Sequence, residues 1–324
     1  MGIKNLSQLI NDYNLKEEII KDNFKEKTKI AIDVSIMIYQ VVIAIRNSGA
    51  DLLNQKGEIT SHILGLFNKT IKLLQNNIIP VYVFDGRPPN LKENVLSNRK
   101  DVRNRSLQKL NTALSSDDRI KYLKRSVFIS KKQIAECKEL FDLMGIPHIT
   151  SPEEADSQCA YLVKVGLVDG VLTEDMDILT FGANKIYSNL SSFRKQSYVI
   201  HLKEMLKKFE LSQDEFIDFC LLLGCDYYEG IKEVESKKLL EIFKNCDKDL
   251  SKTYKYFNLK EENIDLDKIE NVKKYFKSCP ADIKSSQDCE LKPIDKEKLV
   301  NKLVFDYNLI KRKILHKVEF IEQL

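Results

Sequence analysis

Three short apolar runs in this chain each end on an aspartate: KIAID at Asp33, VYVFD at Asp85 and GVLTED at Asp175. Runs of this length, rich in Val, Ile and Phe, read as buried strands. In an open α/β sheet the carboxyl ends of the strands form the ligand-binding edge. The pattern therefore predicts an α/β fold, a central mostly parallel sheet flanked by helices, with acids gathered along one edge. Asp177, two residues beyond Asp175, extends the set, as do Glu154 and Asp156 in SPEEAD and Asp226 in LLGCDYY.

Seven carboxylates in one place repel each other unless a cation shares the site. Oxygen-only donors, with no His or Cys at ligand spacing, favour a hard ion: Mg²⁺, with Mn²⁺ able to substitute, rather than zinc. Two such ions about 4 Å apart bracket an in-line displacement at phosphorus. Several of these acids also have an ordinary reading. Glu154 fits a capping box in S-P-E-E, with Ser151 as N-cap and Pro152 at the first helical position. T-E-D-M-D can be a solvated turn, and Asp226 a polar turn after a helix. If 173–177 is extended, Asp175 and Asp177 face the same way and can address one ion.

At 324 residues and 43% hydrophobic content the chain can bury a large core. Its longest apolar stretch, residues 36–45, is too short to span a bilayer. Seven cysteines without a CxxC spacing fit free thiols in a reducing compartment. The formal net charge is +4, but setting the seven acids aside leaves 52 basic against 41 acidic residues, a balance of +11. Residues 91–133 alone carry twelve Lys or Arg against four acids. Such a run is commonly a solvated helical face. Directly after DGRPP it also suits a polyanion.

Residues 29–34 read as a strand, 35–47 as a helix, 61–76 as a second helix and 79–84 as the next strand. Tyr39 and Arg46, seven apart, share one helix face. Tyr39 alone would more commonly be a core residue. Residues 91–132 read as a helical pair broken at 115–118, 131–144 as an amphipathic helix, and 170–172 as a strand. Beyond about 200 the chain is mainly helical, with 247–300 as small helices and loops.

Taken together, MGIKNL, IAIDVSIMIYQ, GEITSHILGLFNKTI, PVYVFDGRPPNLK, MGIPHITSPEEADSQCAYL, LTEDMDILTFG and FIDFCLLLGCDY resemble the flap endonuclease branch of the structure-specific 5′-nuclease (XPG/RAD) superfamily. The short segment after DGRPP favours this branch over the nucleotide-excision branch. The resemblance implies a PIN-like core and two Mg²⁺ ions held by Asp33, Asp85, Glu154, Asp156, Asp175, Asp177 and Asp226, with Asp156 standing where the family usually has Glu. It implies catalytic roles for Lys92 and Arg99 at the scissile phosphate. It further implies DNA contacts from Tyr39 (base stacking), Arg46, Thr60, Lys69, Arg103, Lys124, Arg125, Lys237 and Lys238. Residues 91–133 become a helical arch for a single-stranded 5′ flap. The organisation that follows is an N-terminal nuclease region at 1–104, an internal one at 122–245 with a helix–two-turn–helix at 217–245, and a helical C-terminal region at 246–324.

Two departures stand out. The G-I-G-P-K loop of the family is replaced by Glu233-Val234-Glu235-Ser236-Lys237, so its phosphate and K⁺ contact is expected to be weakened. No Q-x-x-L-x-x-F-F peptide for a sliding clamp such as PCNA is visible, which leaves clamp recruitment unsupported. The expected activity is 5′ flap endonuclease with minor 5′–3′ exonuclease, in lagging-strand maturation and base excision repair. The expected partner is branched DNA, without membrane association, for a monomer located in the nucleus of a eukaryote or otherwise in the cytoplasm. A PIN-type single-strand ribonuclease and a non-catalytic junction-binding scaffold are the alternatives. The first needs no arch, and the second has no use for clustered carboxylates.

Overall fold

The long apolar run IIPVYVF becomes a strand buried along its whole length, the outcome expected when a strand is covered on both faces. The structure, a computed structural model, describes residues 2–19, 24, 27–113, 115–190, 196–259, 264–278 and 280–324; Cys279 lies outside them. Among the described residues the strands are β1 (Glu17–Ile19), β2 (Thr28–Asp33), β3 (Ile78–Phe84), β4 (His148–Thr150), β5 (Gly170–Leu172), β6 (Lys185–Ser188) and β7 (Ser197–His201). The chain forms two units, each discontinuous in sequence: residues 1–23, 85–95 and 151–283 make the first, residues 24–84, 96–150 and 284–324 the second.

In the second unit β2 runs parallel to β3, with Thr28 opposite Ile78 and Asp33 opposite Val83, and β3 runs parallel to β4. Helix Val34–Arg46 starts directly after β2. Asp33 is its N-cap: Oδ1 accepts from the backbone N–H of Ser35 at 2.7 Å and of Ile36 at 3.3 Å. Helix Ser61–Gln75 follows, its apolar positions Ile63, Leu66, Phe67, Ile71 and Leu74 all buried. The Tyr82 ring stacks on Phe141 at 4.1 Å, and its hydroxyl bonds that of Thr70 at 2.8 Å, so these two buried hydroxyls satisfy each other.

In the first unit β5 and β6 are parallel, whereas β6–β7 and β7–β1 are antiparallel. Parallel pairs outnumber antiparallel ones among the described strands, as the sequence reading expected, and β7 and β1 add an antiparallel part to it. The antiparallel strands were not foreseen: β1 is three residues of Glu-Glu-Ile, two of them exposed, and carries no apolar alternation. Helices Gln213–Leu223 and Ser236–Asn245 bury Phe216, Phe219 and Phe243. Each such side chain contributes about 1.5–3 kcal/mol. Residues 247–300 do resolve into short helices, Leu250–Tyr256, Leu266–Ser278 and Lys296–Asn301. No helix among the described residues is long and apolar enough to cross a membrane.

Candidate active site

The first unit gathers six of the seven acids, and its assembly begins with a backbone latch. Gly86 N–H donates to the Glu153 carbonyl at 2.6 Å, and Arg87 N–H to the Pro152 carbonyl at 3.2 Å. Only glycine fits at 86, because a Cβ there would lie 2.0 Å from the Ser151 carbonyl oxygen. The capping-box expectation for S-P-E-E is corrected here. The helix runs Ala155–Lys164, with Glu154 itself at the N-cap position and no side-chain cap of its own. The latch occupies the carbonyls of residues 152 and 153, and Ser151 Oγ turns to the Glu154 carbonyl at 2.9 Å. The cap comes instead from Asp85, whose Oδ1 accepts from Ala155 N–H at 2.9 Å.

Relieved of capping, the Glu154 side chain meets three donors. Lys92 Nζ bonds Oε1, while the hydroxyls of Tyr227 and Tyr275 bond Oε2, the second at 3.1 Å. Lys92 Nζ also lies 3.7 Å from Asp226 Oδ2 and 5.6 Å from the Tyr227 ring centre. Burial alone would push the Lys92 ammonium down, but Glu154 and Asp226 outweigh it and its pKa is raised, so Lys92 is a firmly held cation. Sequence reasoning missed both tyrosines. Tyr227 carried one signal, its place beside Asp226; Tyr275 carried none.

Asp156, Asp175 and Asp177 form the repelling part of the cluster. Burial first, and then the neighbouring carboxylates, raise the pKa of Asp156 and Asp177 well above the ordinary carboxylate value; Asp175 is raised chiefly by burial. Asp156 Oδ1 and Asp177 Oδ1 are buried with no hydrogen-bond partner. The predicted strand-like alternation of Asp175 and Asp177 is corrected as well: Asp177 opens the short helix Asp177–Thr180, and the two meet because Asp177 N–H donates to Asp175 Oδ1 at 3.2 Å. Gly2, at φ +90°, runs beside them; a Cβ there would stand 2.1 Å from Asp175 Oδ1. Orphaned carboxylate oxygens, mutual repulsion and an all-oxygen donor set fit a hard divalent cation. Among the described residues no three side chains already form a closed cation cage, because several acids are turned toward protein donors.

The remaining candidates lie mostly in the second unit. There Asp33 ends β2, and Arg99 sits on helix Glu93–Thr112. Tyr39 is 40% exposed, not the core residue its helix face suggested. Arg46 is buried and committed, pairing with Asp51 at 2.9 Å and donating to the Leu123 carbonyl at 2.7 Å. Thr60 is buried as well. Lys69 donates to Gln40 and Lys124 to Asn47, and the Arg103 guanidinium lies 4.5 Å from the Phe128 ring centre. Arg125 is exposed on helix Ser116–Arg125. In the first unit Lys237 and Lys238 are exposed on the first turn of helix Ser236–Asn245, and Glu233 before it holds φ +62°, a left-handed value that glycine adopts more readily.

Clustered, partly unpartnered acids beside a held lysine are an arrangement suited to metal-dependent phosphodiester chemistry. Two family models match the chain, the XPG N-terminal domain over residues 1–106 and the XPG I-region over residues 145–226. Flap endonuclease 1 of Nematostella vectensis is 44% identical over 253 residues, 75% of this chain and 67% of that protein. Flap endonuclease-1 from Methanococcus jannaschii superposes with a TM-score of 0.74 at 28% identity, covering 97% of both chains. The catalytic core of Rad2 in complex with DNA substrate gives a TM-score of 0.75 at 24% identity, covering 99% of this chain and 100% of that one, which speaks for the fold alone. This chain belongs to the flap endonuclease branch of the XPG family.

Proposed function

We propose that this chain is a divalent-metal-dependent, structure-specific 5′ flap endonuclease with minor 5′–3′ exonuclease activity. It would cut branched DNA at the junction of single and double strand, in lagging-strand maturation and base excision repair. The observation that carries the reading is the pair of buried, partnerless carboxylate oxygens on Asp156 and Asp177 beside a held cation, Lys92. A junction-binding scaffold would bear the repulsion among these acids without any return. A single-strand ribonuclease would not need the basic helices Glu93–Thr112 and Ser116–Arg125, which fit an arch over a 5′ flap.

Two Mg²⁺ ions, when bound, would supply activation of a water and charge stabilisation for the leaving oxygen. Asp156, Asp175, Asp177 and Asp226 would hold them together with Asp85, and the resemblance adds Asp33 and Glu154. Lys92 presents ammonium donors to charge developing on the phosphate, a preorganised contact of the kind worth about 3–4 kcal/mol in the transition state. Arg99 is proposed to act beside it. Tyr39, Lys69, Arg103, Lys124, Arg125, Lys237 and Lys238 would contact DNA, whereas Arg46, paired with Asp51, and Thr60, whose hydroxyl donates to the Leu52 carbonyl at 3.4 Å, would need those partners displaced first.

The deciding experiment is cleavage of labelled double-flap DNA, beside matched single-strand RNA and blunt duplex, with and without Mg²⁺. Mg²⁺-dependent cutting at the flap junction is expected. Preference for the RNA, or binding without turnover, would overturn the reading.

A further inference from the structure

Tyr227 and Tyr275 are 3% and 8% exposed, and they reach Glu154 from distant parts of the chain. Tyr227 follows Asp226 in the loop after helix Gln213–Leu223, and Tyr275 lies on helix Leu266–Ser278, 121 residues beyond Glu154. Their rings need no special account. Tyr227 lies 5.4 Å from both Tyr275 and Phe276, and Tyr275 lies 5.5 Å from Phe181, an ordinary aromatic cluster that phenylalanine would build equally well. What phenylalanine would not supply is the hydroxyl, and both hydroxyls converge on one oxygen, Glu154 Oε2. The opposite oxygen, Oε1, holds Lys92, whose Nζ stands 3.7 Å from Asp226.

We infer that Tyr227 and Tyr275 are positioning residues whose paired hydroxyls clamp Oε2 of Glu154, so that Oε1 fixes the Lys92 ammonium beside Asp226. A carboxylate on a two-carbon stem can rotate about its terminal bond; two donors on one oxygen remove that freedom, and the orientation of Lys92 goes with it. The helix Leu266–Ser278, outside both matched family segments, thereby reaches into the site through a single hydroxyl. Groups behind the atoms that touch metal or substrate set those atoms' orientation, and losing one typically costs 10–100-fold in metal affinity or rate.

The inference rests on the proposed nuclease function, and two independent readouts keep the two apart. Tyr227→Phe and Tyr275→Phe keep the rings and remove only the hydroxyls; Tyr256→Phe, at a 60% exposed position, is the control. Mn²⁺ binding to the protein alone, followed by electron paramagnetic resonance, should weaken about 10-fold in each variant and stay unchanged in the control. Single-turnover cleavage of double-flap DNA should fall about 10–100-fold, with flap affinity in Ca²⁺ within about twofold of the parent. If the parent does not cut flap DNA, the functional proposal fails while weakened Mn²⁺ binding still supports the clamp. If both variants bind Mn²⁺ and cut within twofold of the parent, or lose only thermal stability, the clamp is refuted.

Discussion

Replacing Gly86 by alanine tests the latch on which the site is assembled. The added Cβ would lie 2.0 Å from the Ser151 carbonyl oxygen and 2.7 Å from that of Pro152, whereas ordinary contact begins near 3.4 Å, so the two strands of the latch must part by about 1.4 Å. Both obstacles are backbone and cannot turn aside. Overpacking of this kind costs about 1–3 kcal/mol, and the Gly86 N–H bond to Glu153 at 2.6 Å is lost with it, a further ~1 kcal/mol. A loss of about 2–4 kcal/mol follows, measurable as a shift of the urea midpoint at constant slope. The same movement separates Asp85 from Ala155 and displaces Glu154, and a misplacement near 1 Å costs about 10²-fold in rate. The expected Gly86→Ala protein therefore binds flap DNA normally, unfolds at lower urea and cuts about 10²-fold more slowly in single turnover. Stability within about 0.5 kcal/mol of the parent together with an unchanged rate would show that the latch neither carries strain nor places the acids.

Asp177→Ala should lower the single-turnover rate by on the order of 10³-fold while leaving flap affinity within about tenfold, and a near-parental rate would remove Asp177 from the metal set. Lys92→Ala should lose about 10²–10³-fold in rate with a small change in dissociation constant; the opposite split would make it a binding residue. Replacing residues 233–236 by Gly-Ile-Gly-Pro relieves the left-handed Glu233 and removes two carboxylates, so anisotropy should show tighter flap binding and a new preference for K⁺ over Na⁺ at equal ionic strength. His62, buried and bonded to Glu136 at 2.8 Å, has its pKa lowered from 6.5, chiefly by burial. The folded protein then binds fewer protons than the unfolded chain, so this contribution to stability is complete above about pH 6.5 and is lost as the pH falls below it. His62→Gln should flatten that limb of a urea-midpoint-against-pH curve; an unchanged slope would exclude His62 as its source.

The two long strands were legible because their buried stretches, Ile30–Ile32 of β2 and the whole of β3, are spelled in consecutive, almost wholly apolar residues rather than in alternation. Helix Ser61–Gln75 was legible from its apolar spacing. S-P-E-E was misread for a physical reason: a capping box is a local pattern, and its competitor was a backbone pairing with residues some 65 positions earlier, invisible to any window of sequence. Asp175 and Asp177 were correctly judged neighbours for the wrong cause, a side-chain-to-backbone turn in place of strand pleating. Arg46 looked available on its helix face because Asp51, five residues on, lies beyond the helix end where no periodicity predicts its position, and the Leu123 carbonyl that also claims it is 77 residues away. Tyr275 was beyond reach altogether, since one aromatic residue in an amphipathic helix reads as core until its hydroxyl is seen to have a destination.

Capping splits the candidate acids into two thermodynamic kinds. Asp33 and Asp85 each terminate a helix, so each repays its charge in fold stability, about 1 kcal/mol for a cap of this type. Asp156 and Asp177 repay nothing to the metal-free fold, which holds their charged forms at a disadvantage. A lineage released from catalysis would feel pressure to discard the second pair while the first remained useful as scaffolding. Degenerate copies of this chain would accordingly still bear the aspartates that close β2 and follow β3 long after the ability to cut had gone, and the surviving strand-end acids alone would be a poor sign that a relative is active.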